Sequence, residues 1–165
     1  MNDMATPSVS LEGKNLWLVQ SLPLTPWQVL RAKLKVQLVL TAIPALVPLV
    51  CMAFVLPLTP ALPLIFVTAL SYIACSACLG LTLGVMRANL TWTNELAPIK
   101  QSLAVTIAMF GGWAYALLLV GLYLLLGWRI GAAVYLALFS AATVAAELAL
   151  LKWLKTKGAQ RLAAL

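Results

Sequence analysis

A chain of 165 residues that is 64% hydrophobic and 9% charged lies far from soluble globular domains, where about 45–50% of residues are apolar and about 25% charged. It reads as an all-α, polytopic integral membrane protein. Its net charge of +7 does not point to nucleic acid, because Lys and Arg cluster at the ends of apolar runs instead of forming a basic stripe, so no nucleic-acid partner is expected.

Residues 1–9 are polar and lack periodicity, and are expected to be a flexible lead-in. Residues 10–35 follow as a cytoplasmic amphipathic segment. Here Leu11, Leu16, Trp17 and Leu18 interleave with Glu12, Lys14, Asn15 and Gln20, so a helix of eleven residues after Ser10 would turn one side to lipid and the other to water. A plain solvated connector is the competing reading. Thr25-Pro26-Trp27-Gln28 has the form of a capping box, with Pro26 in the first helical position, which starts a helix there. Glu12, Lys14, Trp17 and Trp27 are the candidate interfacial residues of this segment.

Between Lys35 and Arg87 there is no charge for 51 residues, which as one helix would measure about 76 Å. A hydrocarbon core of about 30 Å requires two spans instead, expected at 36–56 and 62–86. Pro57, Pro60 and Pro63 mark the break. Pro44 and Pro48 are expected to kink the first span, with their face packed on protein or lining a cavity. Ser76, Gly80, Gly84 and Ala88 form a small-residue stripe on the second, expected to contact another helix.

A polar loop, residues 87–100, leads to a third span at 101–126, which contains Gly111, Gly112, Trp113, Tyr115 and Tyr123. The fourth span is expected at 130–151, with Ala133, Ala137, Ala141, Ala145 and Ala149 as a second packing stripe. Residues 152–165 form a basic cytoplasmic tail. Placing both termini in the cytoplasm puts ten of the eleven basic residues inside and leaves Arg129 outside, which fits a multi-pass protein of the cell membrane.

Chemistry has few residues to use. With no His and no nucleophile elbow, phosphate loop or metal-ligand spacing, no catalytic, cofactor-binding or metal-binding residue is expected. Cys51, Cys75 and Cys78 read as buried thiols within spans; the Cys75–Cys78 spacing suits a metal or redox pair but lacks further ligands. Glu147 is the one ionisable residue inside a span and therefore a candidate for ion or proton coupling. It also stands five residues from Lys152, about 7.5 Å along a helix, close enough to pair with it at the inner interface.

Two phrases carry a resemblance. The run from Ser10 to Leu34, SLEGKNLWLVQSLPLTPWQVLRAKL, and Leu90-Thr91-Trp92-Thr93-Asn94-Glu95 followed by Lys100-Gln101-Ser102, resemble the C-terminal part of ATP-binding-cassette (ABC) exporter permeases of clostridia-like bacteria. Gln20 stands where that family often has Lys, and Thr91 where it often has Asp. The resemblance implies a permease subunit or fragment, partnered by a cytoplasmic ATPase subunit and by further permease helices or a second copy in the lipid bilayer. It also implies a coupling helix in the 87–100 loop, with Trp92, Asn94 and Glu95 as partner-binding residues. Two other classes stay open: a small four-helix proton-coupled exporter using Glu147, and a membrane accessory subunit with no transport path.

Overall fold

The computed structural model describes residues 4–55, 61–90, 92 and 102–165, and every regular element among them is helical. A 3₁₀ segment, Ser10–Asn15, precedes α1 (Leu16–Ser21), α2 (Pro26–Val55), α3 (Ala61–Met86), α4 (Leu103–Leu122), α5 (Ala132–Trp153) and α6 (Ala159–Ala164). A π segment, Tyr123–Gly127, extends α4 to a last turn at Trp128–Ile130, and a second one, Leu154–Gly158, joins α5 to α6 without a break. Four stretches are long and apolar enough to cross a membrane: Pro26–Val55, Ala61–Met86, Leu103–Gly127 and Ala132–Ala164, of 30, 26, 25 and 33 residues. The chain is a multi-pass, all-α membrane protein.

Local chemistry sets the helix ends. At the start of α2 the Thr25 N–H donates to Gln28 Oε1 at 2.8 Å while the Gln28 N–H donates to Thr25 Oγ1 at 3.4 Å, the reciprocal pattern of a capping box. Pro26 loses nothing there, since the first helical amide has no intrahelical acceptor. The proline-rich break expected between the first two spans lies largely outside the described residues, but Val55 and Ala61 end the helices on either side of it. Pro44 and Pro48 do not interrupt α2, and both are exposed. The face expected to be covered is bare within this chain.

Helix α3 is central, packing against α2, α4 and α5. The main core lies at the end of the bundle that carries both termini and most of the Lys and Arg residues, called here the basic end. Leu30 and Leu34 of α2, Leu81 and Val85 of α3, and Leu154 and Leu162 meet there. Leu30, Leu81 and Leu154 are wholly buried.

Three expectations change at this end. The eleven-residue amphipathic helix is two short pieces, because Gly13, at φ 46° and ψ −123°, breaks the 3₁₀ segment before α1 begins. The tail is helical and packed, not free: Leu154 and Leu162 are buried while Lys155, Lys157 and Arg161 stay exposed. Residues 5–9 of the lead-in are packed as well, with Ala5, Thr6 and Val9 no more than 2% exposed. It fills a groove that small residues leave on α3, and a Cβ added at Gly84 would collide with the Thr6 carbonyl. The stripe ending at Gly84 and Ala88 therefore receives the N-terminal strap there, not a membrane helix.

The alanine stripe of α5 is a second correction. Ala137, Ala141, Ala145 and Ala149 are exposed, whereas Tyr135 and Thr143 are buried and Phe139 and Glu147 half-buried. The two sets are offset by two residues, or about 200° around a helix, so packing the bulky stripe inward turns the alanines out. Aromatic and hydroxyl side chains gain ring contacts and hydrogen bonds with α4 that methyl groups cannot offer.

Candidate functional site

The residues singled out in the two sequence phrases come together at the basic end. Ser10 binds the start of the loop after α3 twice: its Oγ accepts the Asn89 N–H at 3.1 Å, and its carbonyl accepts the Trp92 indole N–H at 2.5 Å. The Trp92 ring lies over Gly13 so closely that a Cβ there would sit 2.9 Å from it. Gly13 also has positive φ, so both its backbone and its lack of a side chain are used. Glu12 pairs with Lys33 of α2 at 2.7 Å, and the Lys33 ammonium also donates to the Ser8 carbonyl at 2.9 Å. Both charged side chains are mostly shielded, at 19% and 16% exposure, which strengthens the pair relative to a surface one.

One helix further secures the strap. Gln37 of α2 is 4% exposed, and its Oε1 accepts the backbone N–H groups of Met4 and Ala5, each at 3.0 Å. A buried amide without such an acceptor would cost about 1–3 kcal/mol. The strap is thus tied to α2 through Gln37 and Lys33, to α3 through Gly84, and to the following loop through Ser10. At the other side of the basic end, the Gln20 Nε2 donates to the Leu162 carbonyl at 3.4 Å, joining α1 to α6.

The remaining sequence candidates divide. Trp17 is exposed, and Trp27 is half-buried against the core. Asn94 and Glu95 lie outside the described residues, as does the side chain of Lys14. Trp92 is half-buried with its indole N–H committed to Ser10, so it is an intramolecular tie first. Glu147 makes no ion pair with Lys152; it shares the inward face of α5 with Thr143, one turn away, on a helix that packs against α3. Cys51 is exposed on α2, Cys75 half-buried and Cys78 buried, all free thiols.

A second constellation, which sequence reasoning missed, lies within the spans. It gathers all four tyrosines of the chain. Tyr72 of α3 and Tyr115 of α4 stack at 5.1 Å, Tyr115 and Phe139 pack at 5.1 Å, and Tyr123 and Tyr135 meet at 5.4 Å. Three of the hydroxyls bond inward: Tyr72 donates to the Gly112 carbonyl at 3.1 Å, Tyr135 to the Leu119 carbonyl at 2.6 Å, and Tyr115 pairs with Thr143 Oγ1. Beside this cluster is a cavity of about 310 Å³, lined by Ile65, Thr68, Ala69 and Tyr72 of α3, Tyr115, Ala116, Leu119 and Val120 of α4, and Leu136 of α5. A phenol at membrane depth requires an acceptor, and that requirement was readable in the sequence; which helices would meet was not.

No protein-family model matches the chain, and no curated protein or solved structure matches it.

Proposed function

We propose that this chain is a membrane-spanning subunit, or part of one, of an ABC-type exporter in which a separate cytoplasmic ATPase hydrolyses ATP. The observation that supports this reading is the Ser10–Gly13–Trp92 junction, where the two phrases that resemble such permeases meet. An external motor can bias a transporter only through contacts that differ between its states. The loop after α3 is a suitable handle, since it continues directly from α3 and since Ser10, Glu12 and Gln37 connect its first residues to α2 through polar bonds. A push on residues 93–100 would then reach two spans. In this proposal the basic end faces the cytoplasm, in keeping with the distribution of Lys and Arg.

The test is purification of the full chain from its native membrane in mild detergent. A nucleotide-binding polypeptide should accompany it, and Asn94→Ala with Glu95→Ala should release that polypeptide while the chain still inserts. Recovery of the chain alone, with transport driven by a pH gradient and no ATP, would overturn the reading.

That second outcome belongs to a rival, the small proton-coupled exporter. One observation favours it: Glu147 faces α3 beside Thr143 and leaves Lys152 unpaired with it. Intramembrane carboxylates on an inward face commonly mark ion or proton pathways.

A further inference from the structure

The cavity between α3, α4 and α5 has a definite depth and a definite chemistry. At about 1.5 Å per residue, Ile65 lies roughly 6 Å and Tyr72 roughly 16 Å from the start of α3 at Ala61, so the cavity occupies the half of the hydrocarbon layer remote from the basic end. The stacked rings of Tyr72 and Tyr115 lie at its deeper end. Towards its mouth, Ala116 and Val120 are exposed, and on a helix of this depth exposure means contact with lipid chains.

No charged side chain lines the space. Its hydroxyls are turned to protein acceptors: Thr68 donates to the Leu64 carbonyl at 2.7 Å, Tyr72 to that of Gly112, and Tyr115 pairs with Thr143. A polar occupant would lose its water and gain no hydrogen bond, which costs several kcal/mol by transfer measurements. Ala69 and Ala116 contribute only single methyl groups to the wall of this space of about 310 Å³. Left empty, such a space forfeits the dispersion contacts of its lining.

We propose that this cavity is a binding site for one acyl chain of a membrane lipid, with the methyl end of the chain against the Tyr72–Tyr115 pair. Hydrocarbon is the medium at its mouth, and a saturated chain needs none of the hydrogen bonds that the wall withholds. The inference is independent of how transport is powered.

The test uses the full chain in vesicles of phosphatidylcholine carrying a photoactivatable diazirine near the methyl end of one acyl chain. Adducts mapped by mass spectrometry should favour Thr68 and Tyr72 over the lipid-exposed Leu117 by roughly tenfold, which corresponds to about 1.4 kcal/mol of preferential occupancy. Ala116→Trp should reduce the cavity adducts to the Leu117 level, and Ala69→Leu, a smaller filling, should reduce them part-way if the tryptophan variant does not fold. Moving the diazirine next to the glycerol should also remove the preference. Equal adducts at cavity and surface, unchanged by either filling, would overturn the proposal. So would cavity labelling that free diphenylhexatriene abolishes at a small fraction of the lipid concentration, since the occupant would then be a dissolved lipophile.

Discussion

The Trp92 indole donates to the Ser10 carbonyl at 2.5 Å, across 82 positions of sequence. That bond ties the N-terminal strap to the loop that follows the second membrane helix. A single neutral hydrogen bond contributes only about 0.5–1.5 kcal/mol, so the junction must rest on more than one. Gly13 supplies the second element, since its missing side chain leaves the space that the indole ring occupies.

The first prediction therefore concerns Gly13. A side chain there meets both a disfavoured positive φ and the Trp92 ring, so Gly13→Ala should destabilise the chain by about 1–3 kcal/mol. Gly121→Ala is the control, because nothing lies within 4 Å of the added Cβ. Thermal unfolding in one detergent should separate the two variants clearly. A Gly13→Ala midpoint equal to that of Gly121→Ala would show that the Trp92–Gly13 contact carries no weight.

The strap gives the second prediction. Thr6 is 1% exposed and its carbonyl occupies the place of a Gly84 side chain. Thr6→Cys should resist maleimide when it is the one thiol of the chain, and adding Gly84→Val or Gln37→Leu should make it react at a rate near that of an exposed thiol. Gln37→Leu acts by removing the shared acceptor of the Met4 and Ala5 amides, which leaves the buried Ala5 N–H unsatisfied at about 1–3 kcal/mol. Protection in both double variants would mean that the strap is held by other contacts. Cys51, Cys75 and Cys78 are replaced by Ala throughout, so that one thiol reports.

Much of this was legible in the sequence. The long uncharged run, the proline cluster and the Thr25–Gln28 box depend on local chemistry, and the helices begin and end close to where those signals stand. The tail was legible too, since Leu154, Gly158 and Leu162 recur every four residues, but its Lys and Arg residues drew attention to the charge instead of the period. Residues 4–9 carried no periodic signal because the strap is not a helix. It is held by its backbone, through Gln37 and Gly84, and backbone recognition leaves almost no trace in the residues recognised. The inward face of α5 was misread for a different reason: small residues permit close approach without requiring it, and Tyr135, Phe139 and Thr143 had better partners on α4.

The third prediction is topological. Four spans bring both ends of the chain to the basic end, and the proposal that this end faces the cytoplasm follows the distribution of Lys and Arg. A phosphatase fused after Leu165, active only outside the cytoplasm, should be silent, and the same enzyme inserted after Arg129 should be active. The opposite pattern would reverse the orientation and remove the loop after α3 from the reach of a cytoplasmic ATPase.

The fourth prediction separates the two transport readings at one atom. Glu147 lies on the face of α5 that carries Tyr135, Phe139 and Thr143, and it has no ion pair with Lys152. If a partner ATPase supplies the energy, the carboxylate has no obligatory part in the cycle, and Glu147→Gln keeps its shape while removing its ability to exchange a proton. Transport by the purified complex in liposomes should then stay within about twofold of the unaltered chain, a change of less than 0.5 kcal/mol in the barrier. Glu147→Asp adds a second measurement, because it keeps the carboxyl group but draws it back by one methylene towards the α5 backbone. Under proton coupling the ranking inverts: Gln abolishes transport and Asp retains part of it, with the pH dependence displaced. Abolished transport in Glu147→Gln, with normal insertion and an unchanged amount of associated ATPase, would therefore assign the driving force to this carboxylate and set the ABC reading aside.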